Sequence, residues 1–118
     1  MIYLDNAATT ALSPAAIESM TKAMAIFGNP SSTHSHGREA NKLLRQARED
    51  IAKVLHTQSK NILFTSGGTE SNNTAIKGYA LHHQAQGKHI ITTAIEHHAV
   101  LEPVEYLRSE EHTSELQS

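Results

Sequence analysis

The sequence contains no cysteine and no tryptophan among its 118 residues. The lack of cysteine excludes disulfides, thiolate metal sites and a cysteine nucleophile within this stretch. No apolar run approaches the length of a membrane span, and the chain opens with a strand-like pattern at residues 2–4 instead of a secretory signal. We therefore expect a cytoplasmic protein with no membrane partner.

Charge of neither sign dominates the sequence. Ten Lys and Arg stand against twelve Asp and Glu, a formal net charge of -2, so nothing favours nucleic acid as a partner. The length allows one domain with a moderate core. A hydrophobic content of 38% with few aromatic residues is typical of a soluble α/β protein.

One stretch has the pattern of a phosphate-binding turn. A short apolar run at residues 61–65 stops at Gly67 and Gly68, and helical spacing begins at Thr69. Glycines let backbone N–H groups approach an anion, and the first turn of a helix leaves N–H donors unpaired. The hydroxyls of Thr69 and Ser71 add donors. We therefore predict a phosphate cup after Thr65, built on Gly67, Gly68, Thr69 and Ser71.

An ordinary turn between a strand and a helix would give a similar pattern. Ser66 or Thr69 could simply cap the helix that follows. Neither the Gly-Lys-Ser/Thr phosphate loop nor the three-glycine dinucleotide fingerprint is present, so this stretch alone does not name a ligand.

Hydrophobic periodicity predicts alternating strands and helices. The expected elements are strands at 2–4, 61–65 and 88–93, and helices over 14–27, 38–56, 69–84 and from residue 98. Ser13 and Pro14 mark the first helix start, and Gly28 its end. The apolar faces expected to be buried are Ile17, Met20, Met24 and Phe27, then Ala40, Leu43, Leu44, Ala47, Ile51, Val54 and Leu55, then Ala75, Ile76, Tyr79 and Ala80, and finally Val100, Leu101, Val104 and Leu107. This order implies a parallel sheet with right-handed crossovers.

Nine histidines are many for this length, and one has a distinctive place. His97 follows the strand at 88–93, so it should lie at the same sheet edge as the phosphate cup, where parallel sheets bind ligands. Imidazole is well suited to proton transfer near neutral pH. His34, His36, His97 and His98 lack an acidic partner at a recognised spacing, so we expect no metal site.

Three separated stretches together resemble one family. They are YLDNAATT at 3–10, FGNPSSTH at 27–34 and FTSGGTESNN at 64–73, and the similarity continues through 87–93 and 96–101. In order and spacing they resemble the opening of the cysteine desulfurases, class V aminotransferase enzymes that use pyridoxal 5'-phosphate (PLP). The resemblance covers residues 2–107. It implies an α/β fold, the fold-type I PLP-dependent transferase large domain, a mostly parallel sheet with flanking helices, here truncated.

The resemblance also implies roles for particular residues. Gly68, through its backbone N–H, and Thr69, through its hydroxyl, match the pair that binds the cofactor phosphate. His97 matches the histidine that stacks on the cofactor ring and helps to move protons. The segments Asn6 to Thr10 and Asn29 to His34 match walls of the active site.

The implied activity is removal of sulfur from L-cysteine, leaving L-alanine and an enzyme-bound persulfide. A homodimer would pass this sulfur to an acceptor protein for iron-sulfur cluster assembly or tRNA thiolation. The family's Schiff-base lysine and persulfide cysteine come later in the chain, and neither Lys77 nor Lys88 has the sequence context of that lysine. We therefore expect this stretch alone to be inactive. A selenocysteine lyase and a standalone phosphate-binding module are the alternatives.

The expected organisation has three parts. Residues 1–13 form an N-terminal arm, and residues 14–107 form the N-terminal part of the PLP-binding domain. Residues 108–118, RSEEHTSELQS, match the in-frame translation of a common sequencing adapter. We therefore interpret this tail as not native and leave it out of the fold prediction.

Overall fold

The computed structural model describes residues 1–110 and the backbone of residues 113–117. The chain forms two compact units, Met1–Ile62 and Leu63–Ser118. None of the helices described in either unit is long and apolar enough to cross a membrane.

The first unit contains α1 (Pro14–Met24), α2 (Ser35–Val54) and a short 3-10 turn (Ser59–Asn61). The predicted start of α1 is confirmed, because Ser13 Oγ accepts a hydrogen bond from Ala16 N at 3.2 Å. The predicted end at Gly28 is wrong. The helix stops at Met24, and Ala25 is its C-cap.

The loop between α1 and α2 lies close against the first turn of α2. Gly28 has a φ of 149°, a conformation that favours glycine. Gly37 is buried, and a Cβ there would lie only 2.7 Å from the carbonyl oxygen of Asn29. Ser32 N donates to the same carbonyl at 2.9 Å. The glycines therefore allow this close approach.

The prediction that the apolar faces of α1 and α2 are buried is wrong for the described chain. Ile17 and Met20 are 52% and 53% exposed, and most of the apolar face of α2 is exposed as well. Ala52 is the buried hydrophobic residue of this unit. Helical spacing shows which face is apolar, but it does not show whether the covering surface belongs to the same segment.

The second unit contains α3 (Gly68–His82), β1 (His89–Thr93), α4 (His98–Ser109) and β2 (Thr113–Gln117). Strands β1 and β2 are parallel, with His89 opposite Thr113. Helices α3 and α4 pack together, and Lys77 Nζ lies 4.3 Å from the centre of the Tyr106 ring. The buried residues of α4 are Ala99, Pro103, Val104 and Leu107.

The predicted strand at 88–93 and the helix from residue 98 are confirmed, with β1 beginning at His89. On α4, Val104 and Leu107 are buried as predicted, while Val100 and Leu101 are half-buried. On α3, Ile76 and Ala80 are half-buried, whereas Ala75 and Tyr79 are exposed, contrary to prediction.

The predicted strands at 2–4 and 61–65 are absent. A strand needs a partner for its backbone groups, and within the described residues only β1 and β2 pair. The Arg48 side chain instead donates from Nε to Ile62 O at 3.2 Å. The described chain is therefore mostly helical, with one pair of parallel strands. It does not contain the larger, mostly parallel sheet that we expected. Strand β2 lies within the tail at 108–118, whose non-native origin stays a prediction.

Candidate functional site

The N-terminus of α3 has free hydrogen-bond donors. Gly67 occupies the N-cap position and provides no side-chain cap. The backbone N–H groups of Gly68, Thr69 and Glu70 precede the first intrahelical donor, Ser71 N, which bonds to Gly67 O at 3.1 Å. A Cβ built on Gly67 or Gly68 would meet no atom within 4 Å. An anion can therefore reach these donors.

Side-chain hydrogen bonds cross the phosphate cup in two places. Thr65 Oγ1 lies 2.6 Å from Ser71 Oγ and donates to Gly67 O at 3.2 Å. Ser66 donates from its backbone N and from Oγ to one carboxylate oxygen of Glu70, at 2.7 and 2.6 Å. The glycine turn is thus tied on both sides to the first turn of α3.

The Glu70 carboxyl carries the resolved pKa shift of this site. The hydrogen bond from the Ser66 side chain, followed by the one from its backbone N, lowers the pKa of Glu70 below its ordinary value of 4.5. Both bonds favour the charged form of the carboxyl. Glu70 is therefore an anion at neutral pH, although it stands beside a predicted anion-binding turn.

His97 is the N-cap of α4, and its imidazole serves as the cap. Nδ1 accepts a hydrogen bond from Ala99 N at 3.1 Å. A ring nitrogen that accepts a hydrogen bond carries no proton, so this bond assigns the proton of the neutral ring to Nε2. Thr93 Oγ1 donates to Glu96 at 2.8 Å and closes the turn between β1 and α4.

The structure brings Gly68 and Thr69 together in one helical turn and places His97 on the helix that packs against α3. All three residues are exposed. The roles of Glu70 and Glu96 were missed in the sequence. An acidic residue in the first turn of a helix, four positions after a serine, is a signal that could have pointed to Glu70.

The expected active-site walls lie in the first unit. Within residues 1–13, the Tyr3 hydroxyl lies 2.9 Å from Asp5 O and 3.1 Å from Thr9 O, so its single proton is shared between the two carbonyls. The Asn29 to His34 loop borders a cavity of about 450 Å³ whose other lining includes Arg38 and Arg45.

Histidine also caps α2, where Nδ1 of His34 accepts from Gly37 N at 3.4 Å. Rings of nearby histidines approach each other edge-on in three places, with centroids 6.2 Å apart for His34 and His36 and for His97 and His98, and 4.8 Å apart for His82 and His83. Within residues 1–110, no group of three His, Asp or Glu side chains is arranged to hold a metal ion.

Comparison with known proteins identifies the family. The family model described as aminotransferase class-V matches residues 2–115. The chain is a class-V aminotransferase family member. It is 54% identical over 107 residues to the cysteine desulfurase IscS of Dictyoglomus turgidum, covering 90% of this chain and 27% of that protein. A selenocysteine lyase of Bos taurus is 42% identical over 127 residues, covering 92% of this chain and 29% of that protein.

Solved structures agree with this assignment to the class-V family. A NifS-like protein superposes with a TM-score of 0.82 and 40% identity, over 92% of this chain and 30% of that one. The structure of SspA in complex with cysteine superposes with a TM-score of 0.81 and 37% identity, over 95% of this chain and 33% of that one. The class-V chain thus spans between a quarter and a third of the length of these relatives.

Proposed function

We propose that the full-length protein containing this chain is a PLP-dependent cysteine desulfurase. The observation that carries the proposal is the 54% identity to a cysteine desulfurase over 90% of the chain. A match of that length necessarily includes the phosphate cup and His97. The lower identity to a selenocysteine lyase makes that activity the second candidate.

The proposed cofactor fits the phosphate cup. The N–H groups of Gly68 and Thr69 and the hydroxyl of Thr69 would hold the phosphate, since α3 has no side-chain cap to compete for these donors. The open space in front of both glycines leaves room for the phosphate oxygens. When bound, PLP supplies an electron sink beside the substrate α-carbon.

His97 would act on the open side of its ring. The hydrogen bond from Ala99 N fixes Nδ1 toward the helix, so Nε2 is the atom that holds the exchangeable proton. The Thr93 to Glu96 hydrogen bond restrains the turn that presents the ring. We propose that His97 stacks on the cofactor ring and moves a proton at Nε2.

The proposed substrate is L-cysteine, and the products are L-alanine and a persulfide on the enzyme. The cysteine desulfurase relative and the similar SspA structure, which was solved in complex with cysteine, support this choice. We further propose a cytoplasmic homodimer that delivers sulfur to an acceptor protein, for iron-sulfur cluster assembly or tRNA thiolation.

The activity is tested on the full-length protein with PLP, L-cysteine and a thiol reductant. From L-cysteine we expect alanine and sulfide in equal amounts. With L-selenocysteine we expect a lower rate constant than a selenocysteine lyase would show. Alanine and selenide from selenocysteine alone would favour the second candidate. Failure to release alanine from either amino acid would refute both.

For the domain organisation, we propose that residues 14–107 form the first part of the PLP-binding domain and that residues 108–118 are not native. Adapter-free resequencing of the native locus across Leu107 and Arg108 tests this proposal. We expect the sequence to diverge from RSEEHTSELQS at Arg108 and to continue into a Ser-Gly-His-Lys motif. An unchanged tail in the genomic sequence would contradict it.

A further inference from the structure

The two glycines of the phosphate cup present a physical problem. Gly67 and Gly68 leave space for an anion, but glycine loses more conformational freedom on ordering than any other residue. If the cup became ordered only when phosphate bound, this loss of conformational entropy would lower its affinity for phosphate. Something must hold the turn in place before the phosphate arrives.

Glu70 is arranged to do this. One oxygen of its carboxylate accepts hydrogen bonds from both the backbone N and the hydroxyl of Ser66, at 2.7 and 2.6 Å. These bonds join the residue before the glycines to the first turn of the helix after them. Hydrogen bonds to a charged carboxylate are about twice as strong as neutral ones, so this bridge is stronger than the neutral bridge between Thr65 and Ser71.

The same bonds hold this carboxylate oxygen on Ser66, outside the helix, and not on the N–H donors of the first turn of α3. Ser66 precedes the glycine turn, so a Glu70 oxygen bound there is directed back toward the segment that enters the cup. No side chain caps the backbone N–H groups of Gly68, Thr69 and Glu70. An acidic residue thus stands in the first helical turn without occupying its donors.

We propose that Glu70 is a positioning residue of the phosphate cup, holding the Gly67-Gly68 turn in its binding shape through Ser66. The proposal deepens the proposed function, since it rests on the cup receiving the phosphate of PLP. In this role the side chain of Glu70 acts through Ser66 and the turn, without contact to substrate or cofactor.

The test uses the full-length protein with Glu70→Ala, Glu70→Gln, Ser66→Ala and the double variant Ser66→Ala/Glu70→Ala. The control is Glu18→Gln, which changes an exposed acid that bonds to Lys22 on α1. Affinities for PLP and for pyridoxal, which lacks the phosphate, are measured on the cofactor-free protein. Hydrogen-deuterium exchange of the peptide covering residues 65–71 is followed without any cofactor.

We expect Glu70→Ala to weaken PLP binding about tenfold while changing pyridoxal binding by less than about twofold. Exchange at residues 65–71 should quicken. Glu70→Gln should lie between the wild type and Glu70→Ala in both properties, because its amide oxygen still accepts from Ser66 but carries no charge. The double variant should be little weaker than Glu70→Ala alone, because the two side chains act through one contact.

Other outcomes would overturn the proposal in different ways. Tighter PLP binding in both Glu70 variants would show that the carboxylate only repels the phosphate. Equal weakening by Ala and Gln would show a general charge effect at the helix end. Unchanged exchange at residues 65–71 would remove the positioning role even if PLP binding changed. If the wild-type protein bound no PLP, the proposed function would fail, while the exchange measurement would still decide whether Glu70 orders the turn.

Discussion

Helices α3 and α4 belong to the same unit and pack together, yet their N-termini are built differently. At α4, the His97 ring accepts the Ala99 N–H, so a side chain takes up a donor of the helix end. At α3, the N-cap residue Gly67 has no side chain to accept such a bond, and the Glu70 carboxylate is bound to Ser66 instead. A capped helix end fixes a side chain, whereas an uncapped one keeps its donors for a ligand.

The largest expected effect comes from replacing His97, the residue that caps α4. In the full-length protein, His97→Ala should lower the proposed turnover about 10²- to 10⁴-fold, because the group proposed to move a proton is lost. PLP retention should change far less, since the phosphate cup lies on α3. Steady-state kinetics and the fraction of bound PLP measure the two effects.

His97→Asn is the matched control, because asparagine is a good N-cap but does not transfer protons. His97→Ala should also lower the thermal stability, because α4 loses its cap, and His97→Asn should restore that stability while turnover stays low. Wild-type turnover in His97→Asn would remove the imidazole from the mechanism.

Giving α3 a side-chain cap should produce the next largest effect. Gly67 has a φ of 166°, an extended conformation open to any residue, so Gly67→Asp introduces no strain. The new carboxylate should bind the N–H groups of the first turn and weaken PLP binding about tenfold to a hundredfold. Equilibrium titration of the cofactor-free full-length protein with PLP measures the change.

Gly67→Ala separates capping from bulk, since its Cβ meets no atom within 4 Å. Its PLP affinity should stay within about threefold of the wild type. If Gly67→Asp bound PLP as tightly as Gly67→Ala, the donors of α3 would not be the phosphate site.

A smaller loss is expected from removing one hydroxyl. Thr69→Val keeps the shape of the side chain and the backbone N–H, and it should weaken PLP binding about five- to tenfold. Pyridoxal affinity should stay unchanged, because pyridoxal has no phosphate for the hydroxyl to bind. Parallel titrations with both compounds measure the ratio, and an equal loss for the two would contradict the assignment.

The smallest expected effect is a pH dependence specific to α3. The folded-state pKa of Glu70 is lowered, so its contribution to the order of the cup is present above the unfolded-state pKa and is lost as the pH falls through the folded value, below 4.5. In an NMR titration from roughly pH 6 to pH 3, the Ser66 amide proton should shift in that acid range. Glu70→Gln should abolish this pH-dependent shift of the Ser66 amide proton. A shift that persisted in Glu70→Gln would come from the titration of another group.

The sequence predicted the local features of the site better than its surroundings. Ser13, the start of α4 and the strand beginning at His89 were predicted because capping residues and periodicity act over a few neighbours. The turn at Gly67 and Gly68 was predicted for the same reason, since adjacent glycines limit the local backbone choices.

The predictions that failed depended on distant partners. The strand at 61–65 needs a neighbouring strand, and the apolar residues of α1, such as Met20, need a covering surface. Neither requirement can be read from the spacing within one segment. The Glu70 bridge was missed for a different reason, because an acid near a predicted phosphate is expected to be unfavourable until its bond to Ser66 is seen.

The most direct test of the central claim is a crystal structure of the full-length protein with PLP. We expect phosphate oxygens about 2.7 to 3.2 Å from Gly68 N, Thr69 N and Thr69 Oγ1, with the His97 ring lying on the cofactor ring. Glu70 should remain bound to Ser66. A phosphate bound elsewhere, with the N–H groups of α3 left to water, would contradict the account.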